Sequence, residues 1–213
     1  MKKLLTSVLL LASLLGFSQG FDKSVGTLNI QAMIGYQGEE PRYYNYWDGS
    51  HNWGGQPSNT SSSLVPGVMV SYDFGVHDLI SVAPYFYFQH TQYKGTFYDV
   101  QTPGWANYYD NYKTSVNHFG FGARGLFHYG NLINGLSDID QLDLYGGLAL
   151  GSILKTYNHS TDSGREYFDT ASEFIFAYDV FAGARWFFTD SFGANAEVGF
   201  GTSFARLGVT FKM

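Results

Sequence analysis

The strongest pattern in the sequence lies in its last forty residues, where three runs alternate between apolar and small or polar side chains. The runs cover residues 174–188, 194–201 and 205–213, and in each of them every second position is apolar or aromatic. The charged residues of these runs fall on the opposite face, namely Asp179, Arg185, Glu197, Arg206 and Lys212. Successive side chains of a strand point to opposite faces, so a period of two predicts three β-strands.

Five more segments upstream show the same alternation. They cover residues 28–36, 67–74, 80–89, 118–129 and 142–150, which brings the predicted number of strands to eight. Long connections rich in Gly, Asn, Ser and aromatic residues are predicted near 37–63, 90–112 and 155–170, and the other connections are shorter. An even number of strands, with long loops at one end and short turns at the other, is typical of outer-membrane barrels.

A sheet in hydrocarbon has to close on itself, because no water is present to satisfy the polar groups of an open edge. We therefore predict an all-β fold, an eight-stranded antiparallel up-and-down transmembrane β-barrel with an apolar outside and a polar inside. Two features fit this pattern poorly. Pro84 lacks a ladder donor, which predicts a local bulge. The connection at 201–203 is a tight turn at the end where long loops are expected.

A soluble lipocalin-like barrel would show the same alternation, with the apolar face turned inward. Alternation alone does not distinguish the two arrangements. The many glycines on the smaller-residue face suit a narrow lumen. Aromatic residues near strand ends, such as Tyr129, Trp186 and Phe188, suit the interfaces of a membrane. Both observations favour the membrane barrel.

The first eighteen residues differ from the rest of the chain. Lys2 and Lys3 precede an apolar run at 4–15 and small residues at 16 and 18, which predicts a secretory signal peptide over 1–18 and a barrel domain over 19–213. The apolar run is shorter than the ~20 residues of a spanning helix.

Without the two lysines the formal net charge changes from -6 to -8, which argues against nucleic-acid binding. With Cys 0 and 19% aromatic residues, the composition fits a membrane barrel without disulfides.

Three motifs resemble a known family: DLYGGLALG at 143–151, FAGARWFFTDSFGANAEVGFG at 181–201, and the C-terminal LGVTFKM. They are similar to small outer-membrane barrels of the OmpA/OmpX-like superfamily, especially those of Bacteroidetes-type bacteria. The resemblance implies an outer-membrane location, contact with outer-membrane lipid, and insertion by the barrel-assembly machinery. Such chains usually end in an aromatic residue that the machinery reads. Here Met213 is last and Phe211 lies two residues before it.

The position of each charged residue within its strand predicts which side chains enter the lumen: Asp73, Arg124, Asp143, Asp179, Arg185, Glu197 and Arg206. An eight-stranded barrel is just wide enough inside for side chains. We therefore predict a structural network of paired charges that fills the lumen. A gated ion path is the functional alternative.

The histidines do not predict a metal site or a cofactor. His118 and His128 share a face, but ten residues of strand separate them by roughly 33 Å. A lipid-modifying enzyme is an alternative function, and it would use a Ser/His pair such as Ser115 and His118. The sequence places no third catalytic group near this pair. We therefore predict a protein that is not an enzyme.

The long loops carry the remaining candidate surface. It consists of Tyr43, Tyr44, Tyr46, Trp47, Trp53, Tyr98, Trp105, Tyr108 and Tyr109. Exposed aromatic side chains suit contact with an extracellular protein or glycan, since they offer area at a low entropy cost. The alternative is that they extend the barrel wall. Together, the sequence predicts a structural or surface-interaction protein of the outer membrane, with a small porin or channel as the alternative.

Overall fold

The computed structural model describes residues 21–35, 58–64, 66–99, 108–133, 139–162 and 172–213. These ranges contain nine strands and one short 3-10 helix: β1 (Thr27–Ile34), β2 (Ser58–Leu64), β3 (Gly67–His77), β4 (Ile80–Asp99), β5 (Tyr108–His128), η1 (Gly130–Leu132), β6 (Leu142–Thr161), β7 (Glu173–Phe187), β8 (Phe192–Phe200) and β9 (Ala205–Lys212). Within the described ranges, no helix has the length and apolar character needed to cross a membrane.

The strands form one closed antiparallel barrel. Strand β1 pairs with β3, both β2 and β3 pair with β4, and each strand from β4 to β8 pairs with the next one in the chain. Strand β1 also pairs with β9, which joins the two ends of the sheet. Strands β2 and β3 both lie along the same edge of β4, with β2 beyond the end of β3, and together they form one of the eight strands of the wall. The predicted eight-stranded antiparallel barrel is confirmed.

The two faces of the wall differ as the alternation predicted. Large apolar side chains on the outside are exposed, and they include Ile30, Val70, Phe86, Phe121, Leu148, Leu150, Phe176, Val180, Val198 and Leu207. The inward positions are buried and include three arginines and four carboxylates. In water this arrangement would be unfavourable on both faces. The chain therefore does not adopt the lipocalin-like arrangement, in which the apolar face turns inward.

The wall is much taller on one side than on the other. Strands β4, β5 and β6 have 20, 21 and 20 residues, whereas β8, β9 and β1 have 9, 8 and 8. The tight turn between β8 and β9 lies on the short side, where Gly201 adopts a φ of 139° that favours glycine. The connection at 201–203 is therefore a tight turn because it joins two short strands, although it lies at the end where long loops are expected.

The tall side corrects the predicted loop boundaries. Residues 90–99 and 108–112 were expected in a loop, but they pair with each other as the upper parts of β4 and β5. Residues 155–161 likewise continue β6, and 58–64 form β2 rather than the end of the first loop. Where the side chains of these upper parts are described, the outward ones are polar, such as His90, Gln92 and Ser115, so the apolar-to-polar alternation is lost from the sequence. The remaining loop residues, 36–57, 100–107 and 163–171, lie outside the described residues.

Pro84 does not produce the predicted bulge. It pairs with Ala123 on β5 in an unbroken register. On the β3 edge, the ladder has no pairs between Ser71–Tyr85 and Phe74–Val82, and the register is the same on both sides of this gap. The β3–β4 ladder thus has no backbone pairs at the position where Pro84 lacks an N–H donor. The register shift of this hairpin lies at Gly75–His77 instead.

The N-terminal segment folds against the end of the barrel that carries the short turns. The Lys23 ammonium lies 2.6 Å from Asp78 Oδ1 and lowers the pKa of this carboxyl. The backbone N–H of Met213 donates to the Gly26 carbonyl. The Phe21 ring stacks on His128, with ring centroids 3.5 Å apart. Both ends of the described barrel therefore meet at the short-turn end.

We expect Gly120→Ala to destabilise the barrel, because a Cβ at this inward position would lie 1.9 Å from the buried Tyr87 ring. Overpacking of this kind costs about 1–3 kcal/mol. Gly125→Ala in the same strand is the matched control, since nothing lies within 4 Å of its Cβ position. Urea unfolding of the two variants, refolded in detergent micelles, measures the difference. Equal midpoints would contradict the packing described for this part of the lumen.

Candidate functional site in the barrel lumen

The seven charged side chains that the sequence predicts for the lumen all lie inside the barrel, and each is at most 3 % exposed: Asp73, Arg124, Asp143, Asp179, Arg185, Glu197 and Arg206. They come from six strands, β3 and β5 to β9. Each lies at an inward position of the alternation within its strand. The lumen thus brings together residues that are up to 133 positions apart in the sequence, from Asp73 to Arg206.

Glu197 is the centre of the first cluster. Its Oε1 accepts hydrogen bonds from Arg124 Nη2 at 2.7 Å and from the Tyr145 hydroxyl at 2.8 Å. Its Oε2 lies 2.7 Å from Nε of Arg206, which also donates through Nη1 to Asp179 Oδ2 at 2.5 Å. Arg124 is on β5 and Glu197 is on β8, so their ion pair crosses the lumen.

Arg185 is the centre of the second cluster. It donates to Asp143 Oδ2 at 3.2 Å on the neighbouring strand β6, and to Asp73 on β3 across the lumen. The other oxygen of Asp73 accepts a hydrogen bond from Asn29 Nδ2 at 3.2 Å. The two clusters therefore connect opposite sides of the wall at two places.

Aromatic rings separate the guanidinium groups. The Phe181 ring lies 4.1 Å from Arg124 Cζ and 5.1 Å from Arg206 Cζ, and the Tyr145 ring lies 4.4 Å from Arg185 Cζ. A cation over an aromatic face is attracted to the ring, and the attraction increases when water is excluded. Gly183 provides room for this packing, because a Cβ there would lie 2.7 Å from Glu197 Cγ.

Sequence reasoning did not assign Phe181 to the lumen, although its position was informative. It lies two residues from Asp179 and four from Arg185, so it shares their inward face. The alternation places apolar residues on the outer face, so it did not predict this ring in the lumen. The remaining interior is filled by buried side chains that include Met33, Met69, Tyr85, Tyr87 and Ile153.

A hydrogen-bonded chain of three side chains closes the lumen at the short-turn end. His128 Nδ1 lies 2.8 Å from Asp143 Oδ1, and His128 Nε2 lies 2.8 Å from Ser81 Oγ. The sequence gives no local signal for this chain, since the three residues lie on β4, β5 and β6. The order of atoms is that of a Ser-His-Asp triad. However, all three are buried, Arg185 holds Asp143, and Phe21 covers the imidazole ring. The arrangement therefore favours structural pairing over contact with a substrate.

The structure does not bring Ser115 and His118 together. His118 is buried on the inner face of β5, whereas Ser115 is three residues away and lies on the outer face with Asn158. An odd separation in a strand puts two side chains on opposite faces, so this pair does not support the enzyme alternative. Among the residues that the structure describes, no group of three or more His, Cys, Asp and Glu could hold a metal ion.

The aromatic loop surface is described only in part. Tyr98 lies in β4, where it pairs with Tyr109 of β5, and Tyr108 pairs with Asp99. These three tyrosines are therefore in strands rather than in a loop. The other residues predicted for this surface lie outside the described residues: Tyr43, Tyr44, Tyr46, Trp47, Trp53 and Trp105.

Comparison with known proteins supports the fold. No protein-family model matches the sequence, and no curated protein sequence matches it. Among solved structures, the chain is similar to the outer membrane protein OprG from Pseudomonas aeruginosa, with 10% identity, a TM-score of 0.56, and coverage of 93% of this chain and 98% of that one. The chain shares the fold of an outer-membrane barrel.

Two further structures match with lower TM-scores. The attachment invasion locus protein Ail of Yersinia pestis, in complex with the heparin analogue sucrose octasulfate, shares 13% identity at a TM-score of 0.45, with 89% of this chain and 97% of that one covered. The N-terminal β-barrel domain of OprF from Pseudomonas aeruginosa shares 14% identity at a TM-score of 0.41, with 88% and 97% covered. At these scores the two matches add nothing to the likeness with OprG.

Glu197→Ala should destabilise the barrel by about 3–5 kcal/mol, because it leaves the buried guanidinium groups of Arg124 and Arg206 without this carboxylate. Asp190→Asn is the control, since it removes a carboxylate from an exposed turn. Urea unfolding in detergent micelles measures both variants. A Glu197→Ala barrel as stable as the control would show that the cross-lumen ion pair does not hold the walls together.

Proposed function

We propose that this protein is an integral barrel of the bacterial outer membrane with a structural or surface-interaction role, and that it is not an enzyme. The observation that carries the proposal is the combination of an apolar outer surface with a lumen crossed by ion pairs. The first feature suits lipid, and the second leaves the barrel without an evident path for solutes.

The apolar outside supports contact with outer-membrane lipid. Each buried Å² of apolar surface contributes about 25 cal/mol, so removing the exposed leucine, valine and phenylalanine side chains from water is strongly favourable. The signal peptide over 1–18 would direct the chain to export. The barrel-assembly machinery would then insert it, with strand β9 as part of the assembly signal.

The filled lumen supports a structural role over a channel. Ion pairs join β5 to β8 and β7 to β3 across the interior. An ion that passed through would have to displace these contacts, which leaves buried charges unpaired at a cost of several kcal/mol. The enclosed Ser81–His128–Asp143 chain likewise gives no support to a catalytic role.

The surface-interaction role rests on the end of the barrel opposite the termini. Strands β4 to β6 continue there well beyond the short strands. The segments 36–57 and 100–107 connect strands at this end, and they contain Tyr and Trp residues. We propose that these aromatic residues contact an extracellular protein or glycan.

The wild-type protein should fractionate with the outer membrane, change its gel mobility on heating, and show no stable single-channel steps in planar bilayers. A double variant, Arg124→Ala with Glu197→Ala, removes the cross-lumen pair and should conduct if it still folds. Stable steps from the wild type would overturn the filled-lumen proposal in favour of a porin. Purification of the protein from periplasm without detergent would overturn the membrane proposal itself.

A barrel in which residues 38–55 are replaced by a short Gly/Ser linker should fold as the wild type does but lose binding to its extracellular partner. A glycan array and a pull-down from extracellular protein, each with both barrels, provide the measurement. Heat-dependent gel mobility serves as the control for folding. Equal binding by the shortened barrel would argue that the aromatic residues of this loop only extend the wall.

A further inference from the structure

The outer face of the tall strands changes character along its height. The last apolar row consists of Phe88, Phe119, Leu154 and Phe174, which face each other on β4 to β7. Two rows of uncharged polar side chains follow, first His90, Asn117 and Thr156, then Gln92, Ser115 and Asn158. Within the first of these rows, His90 Nδ1 lies 2.8 Å from Asn117 Oδ1.

The next row contains two lysines that face each other directly. Lys94 on β4 pairs with Lys113 on β5, and both side chains are exposed on the outer face. Among the residues whose side chains the structure describes, neither ammonium has an ion-pair or hydrogen-bond partner. Like charges directly opposite each other in a sheet are destabilising. A pair of cations in this position is therefore incomplete without an anion from outside the chain.

The lysines line a concave surface with a volume of about 470 Å³. Its far edge is a hydrogen-bonded row in which Thr96 Oγ1 donates to Asn111 Oδ1, and Asn111 Nδ2 donates to Asp162 Oδ2, both at 2.9 Å. The nearest described carboxylate of this edge is thus bound to Asn111 rather than to a lysine. Ser160 lies opposite Lys113 and adds a hydroxyl to the same surface.

The height of the lysines indicates what kind of anion they can reach. Each lies six residues beyond the last apolar row on its strand, Lys94 beyond Phe88 and Lys113 before Phe119. Six residues of strand span about 20 Å, which a tilt of about 40° reduces to about 15 Å along the membrane normal. This is beyond the phosphate of a simple glycerophospholipid, and it suits a lipid whose head group is a saccharide.

We infer that Lys94 and Lys113 bind the phosphorylated saccharide head group of a glycolipid in the surrounding outer leaflet. The two lysines contact its phosphate groups, and the uncharged rows below them hydrogen-bond to its sugars. This inference rests on the proposed location of the barrel in the outer membrane. Without the signal peptide the formal net charge is -8, so the protein as a whole repels an anionic head group. The attraction therefore comes from the local pair of lysines.

Binding can be measured by titrating the barrel, refolded in detergent micelles, with purified lipopolysaccharide. The single variants Lys94→Ala and Lys113→Ala should each bind about tenfold more weakly, since each loses a hydrogen bond between charged groups. Lys23→Ala is the matched control, because it removes an exposed lysine from the opposite end of the barrel. Lys94→Arg with Lys113→Arg should retain binding.

Two further titrations identify the chemistry. Dephosphorylated lipopolysaccharide should bind the wild type as weakly as intact lipopolysaccharide binds the alanine variants, and inorganic phosphate should not compete at equal concentration. Equal affinity of wild type and alanine variants for the intact glycolipid would overturn the inference. Folding into phospholipid vesicles, followed by heat-dependent gel mobility, is scored separately. If the barrel inserts but wild type and alanine variants bind lipopolysaccharide equally, only this inference is wrong. If the barrel does not insert, the proposed function is wrong.

Discussion

The structure depends on the requirement that the sheet leave no open edge. Pairing of β1 with β9 satisfies the backbone of both terminal strands, and it encloses a lumen only as wide as the side chains that fill it. The outward positions then have to be apolar and the inward positions have to fill the interior. In each strand, this constraint sets which positions are apolar and which are polar or small. The resulting two-residue period makes the strands recognisable in the sequence.

Closure also explains why charged residues occur inside. Burial of an ion is costly, and the attraction between partners offsets this cost only when their geometry is good. In this lumen each guanidinium has at least one carboxylate and one aromatic ring beside it. We infer that the network contributes less to net stability than to specificity, because a strand in the wrong register would leave several ions unpaired at once.

The sequence predicted the wall because the two faces differ chemically wherever the outside is apolar. The residues of the upper strands, such as Lys94 and Ser115, could not be recognised as strand, because the outer face there is polar as well. Parity within a strand indicated that Arg185 and Glu197 point inward. The order of strands in an up-and-down barrel puts Asp143 on the strand next to Arg185, and Arg206 on the strand next to Glu197. It could not indicate that Arg185 reaches Asp73, since contacts across the lumen depend on the stagger of the closed sheet. The Ser81–His128–Asp143 chain was missed for the same reason.

The unequal heights of the wall have a mechanical consequence. The first and last strands meet at a seam of eight residues on each side, whereas the β4–β5–β6 part of the sheet is more than twice as long. Backbone pairing therefore holds the barrel less strongly on the short side, which includes the ladders of β1 with β3, β1 with β9 and β8 with β9, than in the middle of the chain. Under denaturant we expect the barrel to open on this short side first, with the long strands β4, β5 and β6 as its last ordered part.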